Sequence, residues 1–348
     1  MNSPLLEVRG LQKHFIQRRG FPMPRTTIIR AVEDISLTIH PGEAVGLVGE
    51  SGCGKSTAAR AMLRLIEPTA GTIRFRGEDV LAARGEALKT MRRRMQIVFQ
   101  DPYSSLNPRQ TIGSALVEPM AVHKIAHGAD AQRRAAALLD EVGLPANALD
   151  RYPHEFSGGQ RQRIGIARAL TVEPELIVAD EPVSALDVSV QAQVLLLLRE
   201  LRERRGLAFL FVSHDLSVVR WFCDRVAVMY LGRIVEEGPV AEVLRAPLHP
   251  YANMLREASP EPDPSRRGIL PRIIGEIPSA AAPPPGCAFH PRCGAGLAEC
   301  AKIVPPLARL GRGEVSAADG AGSHAVACHL YSPISGRPLS TTPASIRA

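Results

Sequence analysis

The sequence contains no long hydrophobic run. A helix that crosses a bilayer needs about 20 consecutive apolar residues, whereas the leucine cluster at 195–198 is followed at once by Arg199. Residues 1–9 also have no apolar stretch of the kind that a secretory signal requires. We therefore expect no membrane-spanning segment in this chain, and a cytoplasmic location.

Aromatic residues and lysines are scarce. Aromatic residues make up 4% of the 348 residues, and only five of the 42 basic residues are lysines, so arginine carries most of the +7 formal charge. Such an arginine excess can indicate nucleic-acid or phosphate binding, or simply a solvated surface. The longest basic run, at 92–94, has no interleaved aromatic residues. We favour the solvated surface and expect no nucleic-acid partner.

The composition still allows a large folded core, because 45% of the residues are hydrophobic and 22% are charged. Short apolar runs alternate with longer amphipathic segments from about residue 5 to residue 255. The runs lie at 44–48, 96–99, 176–179, 208–212 and 226–230. Runs that are apolar almost throughout are typical of parallel strands covered by helices on both faces. With helical patterns at 55–66, 190–204 and 216–222, the sequence predicts an α/β fold.

Two segments depart from this alternation. Between residues 99 and 176 no strand pattern occurs, and the segments 111–122, 131–142 and 159–171 predict a helical insertion. After residue 255 prolines become frequent, which is typical of a stiff linker. A small C-terminal part then holds four of the six cysteines.

The strongest local motif is a phosphate-binding loop (P-loop) of the form G-x-x-x-x-G-K-[ST]. It comprises Gly49, Glu50, Ser51, Gly52, Cys53, Gly54, Lys55, Ser56 and Thr57. The motif follows a predicted strand and opens a predicted helix, so its backbone N–H groups would point at one anion. Lys55 would reach the β and γ phosphates of a nucleotide, and the Ser56 hydroxyl would bind Mg²⁺. An accidental glycine-rich turn is the weaker alternative.

A second motif is the apolar strand that ends in two carboxylates, Asp180 and Glu181. At the carboxyl end of a parallel strand, Asp180 can hold Mg²⁺ beside the phosphates. Glu181 is placed one residue further on, where it could orient and polarise the attacking water. The alternative is an ordinary strand with an acidic cap.

Residues 156–163 resemble the signature motif of ATP-binding cassette (ABC) ATPases, because Ser157, Gly158, Gly159 and Gln160 match SGGQ. Alone, this would be a serine N-cap with a glycine turn. Here it follows the P-loop by about 100 residues and precedes the strand of Asp180, which is the order in that family. The resemblance implies that these residues form a second anion cradle.

Four further residues match positions of the same family. The resemblance implies that Gln100 is the Q-loop glutamine, a catalytic residue and Mg²⁺ ligand, and that Asp187 belongs to the D-loop that contacts nucleotide. His214 resembles the switch histidine, which contacts the γ-phosphate and helps to hold water in line with Glu181. Phe15 stands where the family more usually has a tyrosine that stacks on the base; a core phenylalanine of the first strand is the alternative.

The resemblance implies a P-loop ABC ATPase fold, with a RecA-like α/β core, an antiparallel β subdomain, a helical subdomain and a small C-terminal extension. Each ATP in that family lies between the P-loop of one subunit and the signature of the other. The chain has one of each motif, so the resemblance implies a head-to-tail dimer that opens after hydrolysis. ATP and Mg²⁺ are the implied ligands.

The segments at 98–108, 151–157, 179–188, 249–251 and 284–293 resemble ATPase subunits of oligopeptide and dipeptide importers. The resemblance implies an ATPase domain at 4–257, with a helical subdomain at about 101–172, an extension at 258–330 and a disordered tail at 331–348. It also implies two membrane permease subunits, a paralogous ATPase (a homodimer stays open) and, indirectly, an extracytoplasmic solute-binding protein. The expected location is the cytoplasmic face of the plasma (inner) membrane.

The clustered cysteines, Cys287, Cys293, Cys300 and Cys328, have the spacing C-x5-C-x6-C-x27-C. In a cytosolic protein such a cluster favours metal over disulfides. The spacing differs from the paired C-x-x-C pattern of zinc sites, and four thiolates can bind [4Fe–4S] or Zn²⁺. The family resemblance favours [4Fe–4S]. Zn²⁺ with His290 or His329, and reduced thiols without metal, stay open.

Two other functions are considered. ABC ATPases of DNA repair or chromosome organisation separate the P-loop from the signature by a long coiled coil, which needs sustained heptads that this chain lacks. The cysteines could in addition act as a redox sensor that regulates the ATPase. The sequence favours a transport ATPase, and it does not identify the solute.

Overall fold

The computed structural model describes residues 3–20, 25–101, 105–258, 275–310, 315–316 and 324–331. The chain divides into two compact units. The first contains Met1–Glu7, Thr38–Ala44 and Ile73–Val212; the second contains Val8–Leu37, Val45–Thr72 and Ser213–Ala348. Residues 259–274 of the predicted extension, and the predicted tail apart from Tyr331, lie outside the described residues.

The strands are numbered along the chain. They are β1 (Leu6–Arg19), β2 (Arg25–Ile39), β3 (Ala44–Val48), β4 (Ala70–Phe75), β5 (Glu78–Asp79), β6 (Met95–Val98), β7 (Leu176–Asp180), β8 (Ala208–Ser213), β9 (Arg225–Tyr230), β10 (Arg233–Pro239), β11 (Ala308–Leu310), β12 (Val315–Ser316) and β13 (His324–Val326). All five predicted strands are present, within one residue at most ends.

The α-helices within the described residues are numbered in the same way. They are α1 (Lys55–Met62), α2 (Gly85–Arg94), α3 (Ile112–Val122), α4 (Gly128–Glu141), α5 (Gly158–Leu170), α6 (Val188–Arg205), α7 (Leu216–Phe222), α8 (Val240–Arg245) and α9 (Pro250–Ala258). Among the residues described, none of these helices combines the length and apolarity needed to cross a membrane.

In the first unit, β6, β7 and β8 run parallel and adjacent in that order. Every residue of β7 and β8 is buried, which explains their apolar sequences. The predicted helical insertion is present as α3, α4 and α5, which pack on one another. Thr111 begins α3 as its N-cap, because its Oγ1 accepts a hydrogen bond from Ser114 N at 3.3 Å.

In the second unit, β3 pairs in parallel with β9, and β10 pairs antiparallel with β9. The C-terminal strand β13 joins the other side of β10, with Glu236 opposite Val326. α1 ends at Met62 rather than at the predicted residue 66, because Arg64 adopts a left-handed φ of 50° that interrupts the helix. The sheet of this unit therefore carries both the P-loop, after β3, and the C-terminal region.

Candidate functional site

The predicted P-loop at 49–57 depends on glycine at two positions. A Cβ atom on Gly49 would lie 2.2 Å from the carbonyl oxygen of Met229. At Gly54, where φ is 107°, a Cβ would lie 2.0 Å from the carbonyl oxygen of Ala31. No other residue fits at these two positions without moving backbone. These two glycines therefore permit the tight turn before α1 that a phosphate-binding loop requires.

Lys55 lies within this loop with its side chain buried. Its Nζ donates hydrogen bonds to the carbonyl oxygens of Gly49 at 2.7 Å and Glu50 at 3.0 Å. The ammonium group is therefore held by two carbonyl oxygens of the loop itself. Burial raises the pKa of the Cys53 thiol, so this cysteine packs as a neutral side chain.

In the first unit, β7 ends at Asp180, which is 1% exposed. Glu181 follows with a left-handed φ of 48°, a conformation that costs a non-glycine residue about 1–2 kcal/mol. Its backbone N donates to Val212 O at 3.0 Å, and its Oε2 accepts a hydrogen bond from Gln100 Nε2 at 2.9 Å. The structure thus brings the two predicted catalytic residues Gln100 and Glu181 into direct contact.

The signature segment begins α5. Ser157 Oγ accepts from Gln160 N at 3.3 Å, while Gln160 Oε1 accepts from Ser157 N at 3.0 Å, which is a capping box. Gly159 is needed for packing, because a Cβ there would lie 2.2 Å from Val190 Cγ1. Ser157 and Gln160 are themselves exposed. The local N-cap and the predicted anion cradle are therefore compatible properties of the same turn.

The remaining predicted site residues lie on exposed surface. Phe15 on β1 is 40% exposed, with Lys13 Nζ 5.0 Å from its ring centre, so it is not a core residue. Asp187 is the exposed N-cap residue of α6. His214, directly after β8, is exposed as well. Phe15, His214 and the P-loop belong to the second unit, whereas Asp187, Gln100 and the carboxylates of β7 belong to the first.

Two family models match the chain. One, described as ABC transporter, covers residues 32–184; the other, described as oligopeptide/dipeptide transporter, C-terminal region, covers residues 235–300. The probable peptide ABC transporter ATP-binding protein y4tS of Sinorhizobium fredii is 48% identical, over 98% of this chain and 94% of its own length. The chain belongs to the ATP-binding proteins of ABC transporters.

Further relatives support the same family. A putative peptide import ATP-binding protein of Brucella ovis is 51% identical over 90% of this chain and 97% of its own length. The oligopeptide transport ATP-binding protein AppF of Bacillus subtilis is 48% identical over 94% of this chain and 98% of its own length. The predicted resemblance is confirmed.

Solved structures confirm the predicted fold class. A dimeric structure of the bacterial ABC transporter cassette MJ0796 has a TM-score of 0.59 and 29% identity, over 68% of this chain and 98% of that one. A second dimeric structure of MJ0796, in a post-hydrolysis state with ADP and phosphate, has a TM-score of 0.58 over the same shares. This ABC protein is thus an ATPase with the α/β cassette fold.

The four clustered cysteines lie within electrostatic reach of one another. Burial, with a smaller contribution from the other three thiols, raises the pKa of Cys328 to about 12. Burial likewise raises the pKa of Cys287 to about 11. Across the ranges that the structure describes, however, no group of three or more His, Cys, Asp or Glu residues could hold a metal ion. His290 Nδ1 and His329 Nε2 each contact a backbone carbonyl, at 2.9 Å. The predicted [4Fe–4S] cluster and its Zn²⁺ alternative therefore have no structural support.

Sequence reasoning missed two residues that contact the P-loop from the C-terminal part of the chain. The backbone N of Glu50 donates to Tyr251 Oη at 2.8 Å, and the Glu50 carboxylate pairs with Arg292. Tyr251 lay within a segment noted only for its resemblance to importer ATPases. Arg292 lies within another such segment, at 284–293, and no local pattern predicts its pairing with Glu50, because 242 residues separate the two.

His249 is a buried neutral base in this region, and it predicts a pH dependence. Its Nδ1 accepts a hydrogen bond from Tyr251 N at 3.0 Å, and burial lowers its pKa to about 3. The unfolded chain, with a histidine pKa near 6.5, binds this proton more readily. The neutral histidine therefore makes its full contribution to the stability of the fold above pH 6.5. Below that pH the free energy of unfolding falls progressively toward pH 3, by about 2 kcal/mol at pH 5.

This dependence can be measured as the apparent melting temperature between pH 5 and pH 7. We expect His249→Asn, which retains an acceptor oxygen but does not titrate there, to flatten the dependence. The exposed His127→Asn is the matched control and should follow the wild type. Parallel profiles for the wild type and His249→Asn would contradict the prediction.

Proposed function

We propose that this ABC ATPase energises the import of peptides or related solutes through a membrane permease. The observation that carries the proposal is the match of residues 235–300 to the oligopeptide/dipeptide transporter C-terminal region. The names of the relatives in Sinorhizobium, Brucella and Bacillus agree with it. The proposed layout keeps the boundaries expected above: an ATPase domain at 4–257, a helical subdomain at about 101–172 and an extension at 258–330.

The proposed partners are two permease subunits and a second ATPase. The chain carries one P-loop and one signature segment, so a head-to-tail pair is needed to complete each ATP site. The dimeric MJ0796 structures support pairing of cassettes. A paralogous partner is proposed, with a homodimer as the alternative, and an extracytoplasmic solute-binding protein would deliver the solute. Such an assembly places the ATPase peripherally on the cytoplasmic face of the plasma membrane.

In the proposed hydrolysis of ATP, each residue described above has a separate role. The N–H groups of the P-loop and the Lys55 ammonium hold the phosphates of ATP, and Phe15 stacks on the base. Glu181 orients the attacking water and accepts its proton, while the 2.9 Å hydrogen bond from Gln100 fixes the Glu181 carboxylate. His214 contacts the γ-phosphate. The signature residues 157–160 and Asp187 bind the nucleotide of the partner subunit.

Mg²⁺ fits the chemistry of the proposed donor set. The Ser56 hydroxyl, the Gln100 amide and the Asp180 carboxylate are all oxygen ligands, which Mg²⁺ prefers. When bound, Mg²⁺ neutralises charge that develops on the phosphates. No step of the proposed mechanism uses an iron–sulfur cluster or Zn²⁺, because the described cysteines do not form a metal-holding group.

The import proposal is tested by recovering the tagged full chain from membranes in mild detergent. We expect mass spectrometry to identify two multi-spanning permease subunits and a second cassette ATPase. Membranes with an unrelated tagged ATPase serve as the control. Recovery of the chain as a soluble species with DNA or ribosomes would leave the ATPase standing and overturn the transport assignment.

A further inference from the structure

A residue of the C-terminal extension forms a partly buried ion pair with the P-loop. Arg292, one position before Cys293, directs its guanidinium at the carboxylate of Glu50. NH1 lies 2.8 Å from Oε2, and NH2 lies 3.0 Å from Oε1. The side chain of Arg292 is 2% exposed, and that of Glu50 is 19% exposed. This is a two-point, charge-assisted contact, the strongest geometry available to an arginine and a carboxylate.

The surroundings of Arg292 hold the guanidinium in place. Its Cζ lies 5.8 Å from the ring centre of Tyr230 and 5.7 Å from that of Phe289. NH1 also approaches Tyr230 Oη at 3.4 Å. Phe289, three residues before Arg292, packs in turn on Tyr251 with a ring separation of 5.5 Å. Glu50 is therefore fixed twice, at its backbone N–H through Tyr251 and at its carboxylate through Arg292 of the C-terminal extension.

The negative charge of Glu50 connects its contact with Arg292 to nucleotide binding. Glu50 is the second residue of a loop built to bind an anion, and its own carbonyl already accepts from Lys55 Nζ at 3.0 Å. A carboxylate without a countercharge at this position would repel the phosphates of ATP and compete for the Lys55 ammonium. The bidentate arginine removes both effects, because it neutralises the carboxylate and holds it with two hydrogen bonds.

We propose that Arg292 is a positioning residue for ATP, which makes the C-terminal region a functional part of the phosphate-binding site. Arg292 acts through Glu50: it compensates the charge of the loop and fixes the loop's second residue. This inference rests on the proposed role of residues 49–57 as the ATP cradle. It gives the C-terminal extension a task in the ATPase itself, in addition to any role in transport.

The test measures the affinity of the full chain for a fluorescent ATP analogue. Arg292→Gln leaves a partly buried carboxylate uncompensated, so we expect affinity to fall by about 10-fold or more. The double variant Glu50→Gln/Arg292→Gln removes both charges and should recover affinity to within about 3-fold of wild type. The loss in Arg292→Gln should also shrink at high salt, because the uncompensated Glu50 carboxylate is 19% exposed and its repulsion of the phosphates is partly screened. A purely structural role for Arg292 predicts neither the rescue nor the salt effect.

Arg225→Gln is the matched control. Arg225 is a buried arginine that pairs with Glu237 in the same unit. It lies opposite Val45 near the start of β3, whereas the P-loop follows Val48 at the other end of that strand. Its loss should lower the melting temperature without changing ATP affinity. Arg292→Lys retains the positive charge and is the test if Arg292→Gln does not fold. We expect its affinity for the ATP analogue to lie between that of the wild type and a value tenfold weaker.

Three results would contradict the inference. They are wild-type affinity in folded Arg292→Gln, a loss of more than tenfold in Arg292→Lys, which retains the positive charge, and a double variant no better than Arg292→Gln. A wild-type chain that binds no ATP analogue would instead contradict the proposed role of the P-loop. Failure of the inference about Arg292 and failure of the proposed ATP-binding role of the P-loop are therefore distinguishable.

Discussion

Glu181→Gln is expected to lower ATP turnover by at least ~10²-fold while leaving ATP binding intact. The glutamine oxygen can still accept the hydrogen bond from Gln100 Nε2, which is 2.9 Å long in the wild type. The left-handed backbone at Glu181 is also retained, since the side chain still begins with the same Cβ and Cγ. The variant therefore removes only the charge and the proton-accepting capacity of the carboxylate. Because ATP binds without being consumed, the proposed dimer should accumulate in its closed form.

The measurements are steady-state phosphate release and light scattering in the presence of ATP. Glu173→Gln is the matched control, because Glu173 is also a glutamate with a left-handed φ, of 54°, and its side chain is 59% exposed in ion pairs on the surface. It should retain wild-type turnover. Turnover of Glu181→Gln within a few-fold of wild type would remove Glu181 from its proposed role as the base.

Much of the fold could be predicted because buried parallel strands have a simple sequence signal. The strand at 44–48 was predicted with its final bounds, and β7 and β8 are buried at every residue, as their apolar sequences indicated. β10 gave no such signal, since Glu236 and Glu237 lie within it. Glu236 is nonetheless fully buried, because the N–H groups of Leu248 and His249 and the ring of His324 satisfy its carboxylate.

The candidate site, like the fold, could be predicted only in part from the sequence. The P-loop and Glu181 were predicted from local motifs, because phosphate binding constrains local sequence, whereas Gln100 was predicted from the family resemblance. Neither the motifs nor the resemblance could give the direct contact between Gln100 and Glu181, the left-handed conformation of Glu181 or the pairing of Arg292 with Glu50. The two contacts join residues that are 81 and 242 positions apart, for which a single sequence carries no periodic signal.

The second large effect is expected for Lys55→Ala, which should weaken binding of a fluorescent ATP analogue by about 10- to 100-fold. Lys55 Nζ lies 2.7 Å from Gly49 O and 3.0 Å from Glu50 O, so it is already inside the cradle where phosphates would bind. A hydrogen bond to a charged group contributes about 1.5–3 kcal/mol, which corresponds to that loss of affinity. Removing the ammonium also leaves two loop carbonyls facing the phosphates.

Two further variants separate the charge of Lys55 from its packing. Lys55→Met keeps the aliphatic stem that fills the buried side-chain position, so it should bind ATP as weakly as Lys55→Ala but melt closer to wild type. Arg60→Ala removes one positive charge from the exposed face of the same helix and should bind like wild type. If Lys55→Met retains wild-type affinity, packing rather than charge is the contribution of Lys55. If Arg60→Ala is as weak as Lys55→Ala, the effect is general electrostatic attraction, and the P-loop lysine has no special position in the cradle.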